Sequence, residues 1–196
     1  MGIELLPQYI RDHYECHEWR HACAVLSQDF PAEWAQMIDV LTRFRLRHSW
    51  IAVGGGNRSE LAAWIDAEFS RHGWIEKQFQ TSIVVDGAAI NSPTHKIDCF
   101  KNKIALELEW NNKDPFFDRD LNNFRLLFEL RAISVGVIVT RCDELQDIFH
   151  GMGRGSSYGN STTHMSKLLP RIQGGGGAGC PILVLGISRR LYDATT

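Results

Sequence analysis

The sequence predicts an α/β fold: a single domain with a mixed central β-sheet flanked by helices. Three observations predict it. The β-branched run at 133–140 (ISVGVIVT) and the apolar run at 181–187 (PILVLGI) read as strands covered on both faces. Before the first of them, a charged, alternating hairpin gives way to a helical stripe of Leu121, Phe124, Leu127 and Phe128. Strand, helix, strand in that order favours a right-handed crossover and a parallel pair.

The elements follow in chain order. Residues 3–48 read as helical, with Trp34, Met37, Ile38, Leu41 and Phe44 spaced as one stripe after Pro31, a natural first-turn residue. Gly54-Gly55-Gly56-Asn57 interrupts the chain, and Asn57 or Ser59 then caps a helix over 60–72 that Gly73 ends. A strand is expected at 78–85, a turn at Asp86-Gly87, and a loop at Asn91-Ser92-Pro93. Paired strands at 95–100 and 103–110, a polar loop at 111–115 and a helix at 118–131 lead to the first apolar strand. A short helix at 144–149, a Gly/Ser-rich loop at 151–161 and a helix at 163–172 complete the set before the last strand. With no repeat and no linker, 1–196 reads as one domain, comprising a helical part at 1–50 and a core at 55–190.

Composition narrows the class without naming a function. The 196 residues suffice for a sizeable core, and 44% hydrophobic with 22% charged is ordinary for a globular chain. No apolar run is long enough to span a membrane, and the first residues lack the pattern of a signal peptide. Five scattered cysteines suit reduced thiols, so a cytoplasmic location is expected. A net charge of −2 means that any nucleic-acid surface must be a local basic cluster.

The stretch HKIDCFKNKIALELEWNNKD, residues 95–114, carries the chemistry. With Lys101-Asn102 as the tight turn, Asp98 opposes Ala105 and Lys96 opposes Glu107. Alternation then puts Asp98, Glu107 and Glu109 on one face. Three carboxylates so placed repel one another unless a cation lies between them, and hard oxygen ligands suit Mg²⁺. Two such ions can stabilise both the attacking and the leaving oxygen of a phosphodiester. The alternative is a half-solvated hairpin with a charged outer face.

At these residues the chain resembles the BglII/BstYI group of type II restriction endonucleases, within the PD-(D/E)XK nuclease superfamily, with BamHI more distant. The match rests on Asp98, Glu107 nine residues on, then Glu109. It also includes the helix ending at Gly73-Trp74, the strand ISVGVIVT, and the Gly-rich segment before PILVLGI, together covering residues 55–190. The resemblance implies a restriction-endonuclease-like fold, Mg²⁺ as cofactor, and Asp98 and Glu107 as metal ligands. Glu109 fills the third position, where most of the superfamily has Lys, BglII and BstYI have Gln, and BamHI has Glu. Both a general base and an extra ligand stay open for it. Glu76 is the candidate for a fourth polar residue, with Lys77 as close to the aligned place.

The resemblance further implies a homodimer cutting double-stranded DNA at a short palindrome, with a GATC core and 5′-phosphate ends, paired with a DNA methyltransferase. A repair or defence nuclease of the same superfamily, or a catalytically inactive DNA-binding protein, are the alternatives. Asn111, Asn112, Lys113 and Asp114 follow the catalytic strand, and Lys and Asn can read guanine and adenine, though Asn-rich loops are also good turns. Arg154, Ser156, Ser157 and Tyr158 form a second candidate DNA contact. His13, His17 and His21 would line one helix face, as a zinc site or a subunit interface, but no paired Cys-x-x-Cys accompanies them. Gly54–Asn57 could cradle a phosphate at a helix start, although it lacks the residues of a nucleotide-binding loop. Glu60 suits that helix's dipole, or joins the metal site.

Overall fold

A computed structural model describes residues 2–53 and 59–195. The phosphate-cradle expectation at Gly54–Asn57 lies outside the described residues. The chain opens with α1 (Gln8–His13), β1 (Tyr14–Trp19), α2 (Ala22–Asp29) and α3 (Pro31–Arg43), then β2 (Leu46–Arg47) and α4 (His48–Ala52). Next come α5 (Glu60–Arg71), β3 (Ile75–Lys77), the hairpin β4 (Ser82–Val85) and β5 (Ala88–Asn91), and the hairpin β6 (Ile97–Lys101) and β7 (Ile104–Glu109). After these follow α6 (Phe116–Glu129), β8 (Val135–Arg141), α7 (Leu145–Gly151), α8 (Met165–Gln173), β9 (Ile182–Ile187) and β10 (Tyr192–Asp193).

The central sheet has six strands in the order β1-β9-β8-β7-β6-β3. Its middle is parallel, β7 with β8 and β8 with β9, and its flanks are antiparallel, so the expected α/β architecture with a mixed sheet holds. The crossover between β7 and β8 is α6, whose apolar residues Phe117, Leu121, Phe124 and Leu127 recur at helical spacing and are buried against the sheet. Gly136 makes that packing close: a Cβ there would stand 2.3 Å from Cδ2 of Phe124. The opposite face carries Leu106, Leu108, Val137, Val139, Leu183 and Leu185 into a second core with α2, α3 and α5. Both faces are covered, which is why every residue of β7, β8 and β9 is buried.

The N-terminal reading needs two corrections, the first being that Leu46–Arg47 form β2, parallel to β10. Residues 14–19 form β1, an edge strand beside β9, and not part of a helix. Its alternation is weak, because Glu15, His17 and Trp19 are only half-buried against the β9 edge. His13 ends α1, His17 lies on β1 and His21 is in left-handed backbone (φ 60°), so the three do not share a helix face. His17 instead bonds Glu15 at 2.8 Å. Residues 88–91 are likewise a strand, paired across the Asp86-Gly87 turn. The cap of α5 is Ser59, whose hydroxyl accepts from the Ala62 N–H at 3.2 Å. Gly73 (φ 78°) closes that helix in the left-handed region.

The hairpin register also differs by a small amount with a chemical consequence. Asn102 and Lys103 are the turn residues, both with positive φ (43° and 69°), and Lys101 pairs with Ile104. Continued beyond its last pair, Cys99 with Leu106, this register sets Asp98 opposite Glu107, not Ala105, and Lys96 opposite Glu109. The shift is two residues in the pairing sum, so it changes neighbours but keeps faces.

Candidate active site

The acids of the hairpin sit where β6 and β7 part. Past Cys99 and Leu106 the ladder is continued by side chains. The Asp98 N–H donates to Oε2 of Glu107 at 3.2 Å, and the Leu108 N–H donates to Oδ2 of Asp98 at 2.9 Å. Each carboxylate thereby takes a donor from the other strand, which fixes both against the sheet. Glu107 and Glu109 are each 1% exposed, so the half-solvated alternative is overturned. Helix α6 covers them and adds a fourth acid, Asp120, with 0% exposure.

Glu109 is held from two sides. Nδ2 of Asn112 donates to its Oε2 at 2.9 Å, and Nη2 of Arg119 lies 3.3 Å from its Oε1. Arg119 also clamps Asp120, with Nε and Nη2 at 2.9 and 2.8 Å from Oδ1. Burial is the largest cause that raises all four carboxyl pKa values; neighbouring acids add to the rise of Asp98, Glu107 and Glu109, whereas the hydrogen bond with Glu109 lowers Asp120. Asp98 rises to about 6 and Glu109 to about 9, with Arg119 opposing the rise in each. Glu107 is raised well above the ordinary carboxylate range by burial, then by Asp120 and Asp98.

Three buried acids and the half-buried Asp98 with one guanidinium are an arrangement that a divalent cation relieves. Two carboxylate oxygens lack any hydrogen-bond partner, Oε1 of Glu107 and Oδ2 of Asp120. An unpaired, buried carboxyl oxygen is a donor of the kind Mg²⁺ takes when ionised, and one or two protein carboxylates suffice for that ion. Among the described residues no group of three or more His, Cys, Asp or Glu side chains is placed so that it could hold a metal ion. The donors present fit the ion as a partial ligand set that substrate oxygens and water would complete.

A family model described as restriction endonuclease BglII/BglIII matches residues 14–187. The chain belongs to this family. It is therefore a restriction endonuclease, a site-specific deoxyribonuclease that acts on phosphodiester bonds of double-stranded DNA. A search of curated proteins finds no match.

The endonuclease places the remaining expected residues unevenly. Glu76 stands apart from the buried acids, more than half exposed on β3 and paired with Lys96 at 2.8 Å. Asn112 bonds Glu109, while Lys113 is exposed next to it and Asp114 lies 3.6 Å from Arg171. Asn111 takes positive φ (60°) and its buried Oδ1 is unpartnered. Ser156 and Ser157 are exposed, and Nε of Arg154 donates to the Ile51 carbonyl at 3.3 Å. Tyr158 points inward: its ring stacks on Phe149 at 4.0 Å and meets Trp110 edge-on. Glu60 lies in the first turn of α5, where the dipole favours it. No described helix is long and apolar enough to cross a membrane, and the five cysteines are free.

Sequence reasoning missed Asp120 and Arg119. A signal was present: Asp120 interrupts the stripe of Phe117, Leu121 and Phe124, and a carboxylate on a helix's buried face needs a partner.

Proposed function

We propose that this endonuclease is a type II restriction enzyme that hydrolyses DNA in an Mg²⁺-dependent reaction at a short palindromic site, as a homodimer. The observation that supports it best is half-buried Asp98 beside buried Glu107 where two strands part, each accepting a backbone N–H of the other strand, with an unpartnered Glu107 oxygen. In this reading Asp98 and Glu107 hold the cation, which supplies Lewis-acid stabilisation of charge on the phosphate. Glu109 in its ionised form accepts the proton of the attacking water; burial, which raises its carboxyl, opposes that ionisation, and Asn112 and Arg119 favour it. Asn112 and Arg119 keep its two oxygens oriented. Water attacks phosphorus in line, and the 3′ oxygen leaves so that the product ends carry 5′-phosphates.

A two-fold protein on a two-fold site presents one such hairpin to each strand. Lys113 and the exposed Ser156 and Ser157 are the reading and phosphate-contact candidates that remain accessible. Glu76, exposed and paired with Lys96, takes no part in this reading. In this proposal the palindrome contains GATC, and a partner methyltransferase protects the same sequence.

Plasmid DNA incubated with the protein and Mg²⁺, then sequenced at the ends, tests the reading. Discrete fragments with one palindrome at every end, 5′-phosphorylated and abolished by a chelator, are expected. Degradation without a common end sequence would reject site-specific restriction, and chelator-resistant cutting would reject the cation.

A further inference from the structure

We propose that Arg119 is a catalytic residue of this endonuclease, with its guanidinium contacting the phosphate being cleaved. The inference rests on the active-site reading above and adds to it a cation supplied by α6. Three observations lead to it.

Arg119 is fixed on one edge. Its Nε and Nη2 are taken by Oδ1 of Asp120, and Nη2 also reaches Oε1 of Glu109, while Nη1 makes none of these bonds. Its plane is fixed as well, because the Phe116 ring lies 4.1 Å from the guanidinium carbon. With Nε and Nη2 bound, a planar guanidinium presents its remaining Nη1 donors in a set direction, and a guanidinium N–H matches a phosphate oxygen. Lastly, its side chain is 31% exposed, whereas Glu109 and Asp120 are 1% and 0%. Arg119 thus marks the mouth of the acidic cluster, on the side from which a charged backbone can enter.

A counter-ion to Asp120 alone would need only Nε and Nη2. The link to Glu109 places the guanidinium beside the group that handles the attacking water, where negative charge on a non-bridging phosphate oxygen lies within reach. Donors preorganised in this way act on rate as well as on binding, typically by about 10²–10³-fold for one donor.

The full chain and its Arg119→Gln variant are compared on a duplex carrying the sequence found at cleaved ends. Binding in chelator across a series of salt concentrations should give a slope of log K against log salt lower by about 0.9 in the variant, the value for one lost phosphate contact. The single-turnover rate in Mg²⁺ should fall by about 10²–10³-fold. An unchanged slope, with the rate restored when Asp120→Asn is added, would assign Arg119 to charge balance and overturn the proposal. Arg119→Lys covers the case in which the Gln variant does not fold. It keeps the slope and loses rate if the fork is needed, and wild-type rate in it overturns the proposal. Asp98→Asn separates the two levels. Wild-type cutting by Asp98→Asn means that the active-site reading fails, whereas a dead Asp98→Asn beside a fully active Arg119→Gln sinks this inference alone.

Discussion

Asp98→Asn lowers the cleavage rate by about 10³-fold or more while leaving affinity for DNA within a few-fold. The rate effect follows from charge: a ligand that helps hold a Lewis acid contributes several kcal/mol, and each ~1.4 kcal/mol is tenfold. Asn keeps the shape and can still accept the Leu108 N–H through its amide oxygen, so the hairpin stays folded. Removing one negative charge from a cluster where burial and Asp66 already oppose ionisation cannot weaken attraction to phosphate. Single-turnover cleavage and equilibrium binding, measured on the same duplex, separate the two effects. A variant that cuts within tenfold of wild type removes Asp98 from the chemistry.

Phe124→Ala destabilises the protein by about 3–5 kcal/mol, out of the roughly 5–15 kcal/mol that holds a domain of this kind folded. Phe124 is 0% exposed and lies over Gly136, a close approach that only a residue without a side chain allows. Truncation leaves a void between helix and strand that cannot collapse, because Phe117, Leu121 and Leu127 on either side fix the spacing. Thermal unfolding by circular dichroism should shift down by about 6–20 °C at this chain length. Activity should suffer below the transition too, since α6 carries both Arg119 and Asp120. A shift below about 3 °C would mean that α6 is held by something other than this contact.

The sequence makes the sheet's centre legible because the runs at 133–140 and 181–187 leave no polar face to misread. The hairpin's face was legible for another reason: strand alternation survives a turn misplaced by one position, so Asp98 stayed with both glutamates. Its neighbours were not. Lys101-Asn102 and Asn102-Lys103 are equally plausible two-residue turns, and only the backbone decides that Asn102 and Lys103 take positive φ. Strand β1 was hidden by polar residues on its half-covered face, lying between stretches with real helical stripes. Strand β5, Ala-Ala-Ile-Asn, was hidden because alanine and asparagine are poor strand formers. Asp120 and Arg119 were out of reach of hairpin reasoning, because a crossover helix that starts beyond the hairpin brings them over the acids.

Cation binding itself is the most direct measurement of whether the opposed acids are a metal site. Calorimetric titration of Mn²⁺, a hard-ligand analogue of Mg²⁺, into the full chain should give a saturable isotherm, and Glu107→Gln should weaken it by about tenfold or more. Glu107 carries the unpartnered buried oxygen, so its replacement removes a ligand without leaving a hydrogen-bond partner behind at that atom. Equal Mn²⁺ affinity in the two proteins would contradict the assignment of Asp98 and Glu107 as the cation's ligands.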